Sequence, residues 1–271
     1  MADDNKGGLG ETVRVVIHAL LIAFVIRTFL FQPFNIPSGS MKDTLLVGDY
    51  LFVSKFSYGY SKYSFPFSPD LFQGRIMGSV PNRGDVVVFR LPREPDVDYI
   101  KRVIGLPGDR IQMINGQVHI NGTAVPRERI EDFMDNEDGR TVRTRRFRET
   151  LPNGVSYTTL DLYENGFYDN TPVYEVPAGH VFVMGDNRDN STDSRVLSQV
   201  GPIPFDHLIG RAQILFFSIE EGERAWAFWR WPWSIRWNRC SPTKERWCEW
   251  RDTVMIVINT GGRQFFKKSI G

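Results

Sequence analysis

The sequence predicts a mainly β protein preceded by a single N-terminal apolar helix. Three features predict it: an apolar stretch from Val15 to Phe31, a succession of short β-branched runs beyond residue 33, and Asn-Gly dipeptides between those runs. The apolar stretch, VVIHALLIAFVIRTFLF, is hydrophobic on every side of a helix and is interrupted only by His18, Arg27 and Thr28. At ~1.5 Å per residue it reaches the lower limit of a bilayer span. A cleaved signal peptide is one rival reading, but Asp3, Asp4 and Glu11 stand where a basic leader belongs, and no small-x-small site follows. A buried core helix is the other. A permanent anchor is favoured because Pro33 and Pro37 stop the helix and nothing earlier in the sequence offers a packing partner. Lys6 and Arg14 before the stretch and Arg27 within it leave the positive-inside count nearly balanced, so charge does not set the orientation.

The β-branched runs fall at Tyr50 to Lys55, Asp85 to Leu91, Asp98 to Ile104, Arg110 to Ile114, Val118 to Ile120, Val155 to Leu162, Val181 to Met184 and Leu208 to Phe217. Asn115-Gly116, Asn121-Gly122 and Asn153-Gly154 favour tight hairpin turns, so the strands are expected to pair antiparallel. Residues Glu128 to Glu149 are charged and weakly patterned, and are expected to form an exposed excursion between strands. All seven tryptophans lie between Trp226 and Trp250, interleaved with arginines, a composition that suits the lipid headgroup layer. The expected division is a leader and anchor over 1–32, a β-rich domain over 33–221, and a Trp/Arg-rich membrane-interface segment with a C-terminal tail over 222–271.

Composition narrows the function. With 33 Lys and Arg against 32 Asp and Glu, the net charge of +1 gives no basic face for nucleic acid. Cys240 and Cys248 are too few for a disulfide framework or a structural zinc site. His18, His119, His180 and His207 show no metal-ligand spacing, so no metal or organic cofactor is expected.

Three segments carry candidate chemistry. Ile36-Pro37-Ser38-Gly39-Ser40-Met41, just past the anchor, presents two serines around a glycine whose backbone can turn sharply. In Asp98 to Asp109, a strand would put Tyr99, Lys101 and Val103 on one face, an unusual place for a lysine. An ordinary lysine is neutral in only roughly one molecule in 2,500 at pH 7. Burial can lower its pKa by as much as about 3–5 units and make it a usable base. Gly185 to Arg195 crowds acids, amides and hydroxyls into one loop. It lacks the glycine and terminal glutamate of an EF-hand, so a network in which Asp193 pairs with Arg195 and Ser191 bonds a neighbouring amine fits better than calcium.

Taken together in this order, with Arg83-Gly84-Asp85-Val86-Val87-Val88-Phe89 between the first and second, these segments resemble the bacterial type I signal peptidases. These are membrane-bound serine proteases that remove signal peptides from exported proteins. The resemblance spans most of residues 10 to 220 and implies an all-β catalytic core with a hydrophobic surface toward the membrane. It further implies Ser40 as nucleophile and Lys101 as general base, with the Ser38 hydroxyl and Ser40 amide as oxyanion hole. Ser191 would orient the lysine, and Asp193 with Arg195 would support that loop. Ile36, Met41, Leu45, Tyr99 and Ile100 would wall the pocket for the residue before the cut, and Phe34 and Leu51 would contribute to a second pocket. Such shallow pockets imply small residues, as in a small-x-small motif. The implied partners are preprotein signal peptides and the lipid bilayer, at the bacterial inner membrane with the catalytic domain on the outer, periplasmic side. Past about Arg239 nothing matches. Two rival readings are a self-cleaving repressor-type protease, which also uses serine and lysine, and a non-catalytic membrane-tethered binding module.

Overall fold

The structure is a computed structural model that describes residues 9–66, 68–70, 72–137, 140–222 and 231–239. Helix α1 (Leu9–Val25) widens into one π-helical turn over Ile26–Leu30. Residues Gly10–Leu30 form a 21-residue helical stretch of mean hydropathy 2.1, long and apolar enough to cross a membrane. Its apolar side chains, Leu20 and Ile22 among them, are exposed, so the domain provides no core for them. The lower end is tied to the domain by Phe29, which packs edge-on against Tyr60 and Phe65 and whose carbonyl accepts a 2.7 Å bond from the Tyr60 hydroxyl.

Fourteen strands follow among the described residues: β1 (Phe31–Asn35), β2 (Asp49–Ser54), β3 (Val86–Arg90), β4 (Asp98–Gly105), β5 (Arg110–Ile114), β6 (Gln117–Ile120), β7 (Thr123–Ala124), β8 (Arg127–Glu137), β9 (Arg140–Thr150), β10 (Ser156–Asp161), β11 (Tyr174–Glu175), β12 (His180–Met184), β13 (Ile203–Pro204) and β14 (Leu208–Ser218). They form a seven-stranded sheet in the order β1-β2-β14-β3-β4-β12-β13, a three-stranded sheet β10-β9-β8 and a four-stranded sheet β11-β5-β6-β7.

Local chemistry accounts for much of this. Strand β3 is an unbroken apolar run because both faces are covered: Val86 and Val88 join one buried cluster, Val87 and Phe89 another. Asn115 and Asn121 take φ of 49° and 54°, and Gly116 and Gly122 follow at 74° and 82°, the paired positive values that a two-residue hairpin turn requires.

Two expectations need correction. The prolines do not end the helix: it gives way at Leu30, and Pro33 lies inside β1. That is tolerated because β1 is an edge strand, where a missing N–H costs no ladder bond. The supposed excursion over Glu128 to Glu149 is instead the β8–β9 hairpin. Its pattern is hidden because charge pairs replace apolar alternation, as where Arg127 meets Asp161 at 2.7 Å and stacks on Phe147 at 3.6 Å. In the Trp/Arg segment, Arg236 and Arg239 turn inward to the domain. Arg236 Nη2 donates to the carbonyls of Val47 and Ile219 (2.6 Å each) and Arg239 Nη2 to Asp49 (2.6 Å), although Trp237 remains exposed. Cys240, Cys248 and the tail lie outside the described residues.

Candidate active site

The turn carrying Ser40 is a single 3-10 turn, Gly39–Met41, closed by a 3.0 Å bond from the Lys42 amide to the Gly39 carbonyl. Ile36 and Met41, both buried on either side, fix it to the core. Lys101 sits in the middle of β4, opposite Val87 of β3. Strand β12 pairs with β4 through Val183 and Met184, so the loop that leaves β12 at Gly185 starts beside Lys101. It then grips the serine turn from outside: the Asn187 side-chain amide donates to the Gly39 carbonyl (3.0 Å), and the Asn187 backbone N–H to the Ser40 carbonyl (3.1 Å). Segments separated by 61 and by more than 140 residues thus meet around one hydroxyl.

The Lys101 ammonium donates to Ser40 Oγ at 2.6 Å, and the two residues are only 3% and 8% exposed. Burial lowers the lysine pKa from 10.5 to about 8; the charges of Asp193 and Asp186 oppose this and that of Arg195 adds to it. Each of those carboxylates has an arginine of its own. Asp193 takes bonds from Arg195 Nε and Nη2, both at 2.9 Å, and Asp186 takes bonds from Arg102 Nε and Nη2 at 2.8 and 2.6 Å. With its charge already matched, neither carboxylate holds the proton on Lys101 strongly, and desolvation prevails. The arrangement can therefore supply a neutral amine within reach of an alcohol.

The remaining expected residues fall into three groups. Ser38 is exposed, with its hydroxyl oxygen 3.4 Å from Ser40 Oγ. Ser191 donates its proton to Asp193 Oδ2 at 2.8 Å, so the bond it makes is to the carboxylate and its link to Lys101 passes through that charge. Ile36, Met41, Leu45, Leu51 and Ile100 share one buried cluster, with Phe34 packed at its edge, whereas Tyr99 belongs to the cluster on the other side of the sheet. Its ring lies 5.2 Å from the Lys101 amine, screening it from water.

Sequence reasoning missed Arg102, Asp186, Asn187, Thr44 and Gly185 as individual members of the site. Thr44 Oγ1 donates to Asp186 Oδ2 at 2.5 Å, joining the Arg102 pair to the serine segment. A buried arginine alternating with the candidate lysine along β4 was a readable signal, since such a charge demands an acid. Gly185 has no such signal; its role is steric. A methyl there would overlap the Ser191 hydroxyl and lie 2.6 Å from the Ser40 carbonyl oxygen. Gly185→Ala is expected to lower kcat by about a hundredfold, since small misplacements of a nucleophile are that costly. Steady-state kinetics check this; an unchanged kcat would mean the loop absorbs the methyl.

The family model described as "Signal peptidase, peptidase S26" matches residues 9–217. Signal peptidase I of Rickettsia typhi is 47% identical over 208 residues, covering 73% of this chain and 76% of that protein. Signal peptidase I of Rickettsia akari is 47% identical over 229 residues, 80% of this chain and 84% of that protein. Among solved structures, a signal peptidase I from Enterococcus faecalis aligns at 26% identity over 49% of this chain and 97% of that one, with a TM-score of 0.29, too low to support an argument.

Proposed function

The chain belongs to the signal peptidase family, peptidase S26, as a serine endopeptidase of the signal peptidase I type, and from that premise we propose that Ser40 is its nucleophile and Lys101 its general base. Family and exposed apolar helix together make it a membrane-anchored enzyme that removes signal peptides from preproteins. The observation that carries the finer reading is the 2.6 Å contact between a buried amine and the Ser40 hydroxyl.

In the proposed cycle, neutral Lys101 accepts the Ser40 proton as Oγ attacks the scissile carbonyl. The oxyanion is held by the Ser40 N–H and the Ser38 hydroxyl, donors each worth a few kcal/mol where charge develops. The lysine ammonium then protonates the departing amine, leaving an acyl-enzyme. Lys101 next takes a proton from water as its oxygen attacks the ester carbonyl, and the ammonium returns that proton to Ser40 Oγ as the signal peptide leaves with a free carboxyl end. Asp193 with Arg195 supports the loop, and Ser191 fixes the carboxylate beside the amine. Ile36, Met41, Leu45, Leu51 and Ile100, with Phe34 at their edge, pack closely on the same side of the sheet, which favours small residues on either side of one position, as in small-x-small; Tyr99, on the other side of the sheet, covers Lys101 instead. The proposed division is an anchor over 1–32, a catalytic domain over 33–221 and an interface segment and tail over 222–271. Because the helical stretch ends at Leu30, ten residues before Ser40, the site is proposed to lie close to the bilayer, at the outer face of the bacterial inner membrane.

The test is cleavage of a purified preprotein across pH. A base with a pKa of about 8 is neutral in roughly one molecule in ten at pH 7, against about one in 3,000 at 10.5. Thus kcat/KM is expected to rise about tenfold per pH unit below the lysine pKa and to level above it. A profile flat from mildly acidic to alkaline pH would contradict a lysine base.

A further inference from the structure

The two residues that follow the serine turn, Lys42 and Asp43, both form ion pairs with the β8–β9 hairpin. Lys42 Nζ lies 2.6 Å from Asp135 Oδ2 on β8, and Arg146 Nε of β9 lies 2.8 Å from Asp43 Oδ2. All four side chains are largely covered: 10% and 24% exposed for the first pair, 29% and 13% for the second. Exposed pairs of this kind contribute little, but covered ones lose much when a partner is removed. The signs run opposite along the chain, cation then anion, and the hairpin answers with anion then cation. Asp135 stands opposite Val142 and Arg146 opposite Ile130, so the two pairs hold the turn at two separate points along the hairpin.

The contact reaches the nucleophile directly. The Lys42 side chain folds back across Gly39, where an added Cβ would lie 3.1 Å from its Cε, and Gly39 precedes Ser40. The same hairpin sheet is rooted at the active-site loop, where the Leu160 N–H of β10 donates to the Asp186 carbonyl at 2.9 Å. The sheet therefore holds the site at two places, the loop behind Lys101 and the turn beneath Ser40.

We propose that the β8–β9 hairpin is an ionic clamp on the nucleophile turn, with Asp135 and Arg146 as positioning residues that hold Ser40 in line with Lys101. The clamp rests on the Ser40 and Lys101 reading and adds to it a dependence on charges far away in sequence. It acts on the geometry of the attack and leaves substrate binding alone, so its signature is a fall in kcat without a change in KM.

Asp135→Asn is expected to lower kcat about tenfold with KM within about twofold, and to lower the unfolding midpoint because Lys42 is left without that counter-charge. Asp135→Glu, which keeps the charge, recovers most of the rate. In a cycle with Lys42→Met, the double variant is expected to be no slower than the slower single one, because both remove the same contact. Arg146→Gln gives an independent reading through Asp43. A kcat within about twofold of the parent for both Asp135→Asn and Arg146→Gln, or losses that multiply in the double variant, would overturn the clamp. Ser40→Ala, assayed alongside, separates the two claims: if it is inactive while the hairpin variants retain full kcat, only the clamp fails. If Ser40→Ala still cleaves, the nucleophile assignment fails and the clamp with it.

Discussion

Replacing Lys101 with methionine is expected to lower the rate of preprotein cleavage by at least ~10⁴-fold while making the folded protein more stable at neutral pH. The activity falls because no other group among the described residues lies within bonding distance of Ser40 Oγ with a pKa that lets it take the proton. The stability rises because the native state keeps an ammonium out of water. A lysine whose folded pKa is about 8, below its ordinary 10.5, destabilises the fold by roughly 3 kcal/mol at pH 7, at ~1.4 kcal/mol per pH unit. That penalty is complete below the folded pKa and disappears as pH rises through the unfolded one. The parent should therefore gain stability relative to Lys101→Met between pH 8 and 10.5, as followed by denaturant unfolding. Lys101→Arg is expected to be inactive as well, since guanidinium keeps its charge. Turnover by either variant near the parent rate would contradict the role of the amine.

Arg195→Met is expected to cost about 3–5 kcal/mol of stability, because it leaves Asp193 ionised, fully buried and without its cation. The same change should move the pH–rate profile to more alkaline pH. Arg195 contributes to keeping the Lys101 pKa low and Asp193 to raising it, so removing the arginine strengthens the carboxylate's hold on the lysine proton. Adding Asp193→Asn removes the orphaned charge and should return part of the stability. A loss below ~1 kcal/mol together with an unmoved profile would show that the pair supports neither loop nor base.

The proposed catalytic pair was easier to read than the residues around it. Lys101 is a cation between apolar neighbours on a strand, which is unusual, whereas Ser-Gly-Ser is an ordinary loop composition; it is the resemblance carried by the segments in order that singled out Ser40. Strands were legible where β-branched residues and Asn-Gly turns agree, as in the β5–β6 hairpin of the four-stranded sheet from Arg110 to Ile120. The β8–β9 hairpin was not, because its strands are stabilised by Arg127, Arg145 and their carboxylates more than by buried apolar side chains, which leaves no period of two to find. Strand β1 was hidden by Pro33, which signals a break everywhere except at a sheet edge. The partner of Ser191 could not be chosen from sequence: Asp193, two residues away, takes the bond expected for an amine. Gly185, Asn187 and Thr44 act through packing and long-range bonds, which single-sequence patterns do not carry.

The most direct measurement is titration of the Lys101 side chain itself, by NMR of lysine carrying labelled Cε and Nζ, with Lys101→Met used to assign its signal. Deprotonation in the folded, active enzyme should be centred near pH 8, at the pH where the cleavage rate levels off. A midpoint at the ordinary lysine value of 10.5 would mean the amine stays charged beside Ser40 at every working pH, and would contradict its role as the base.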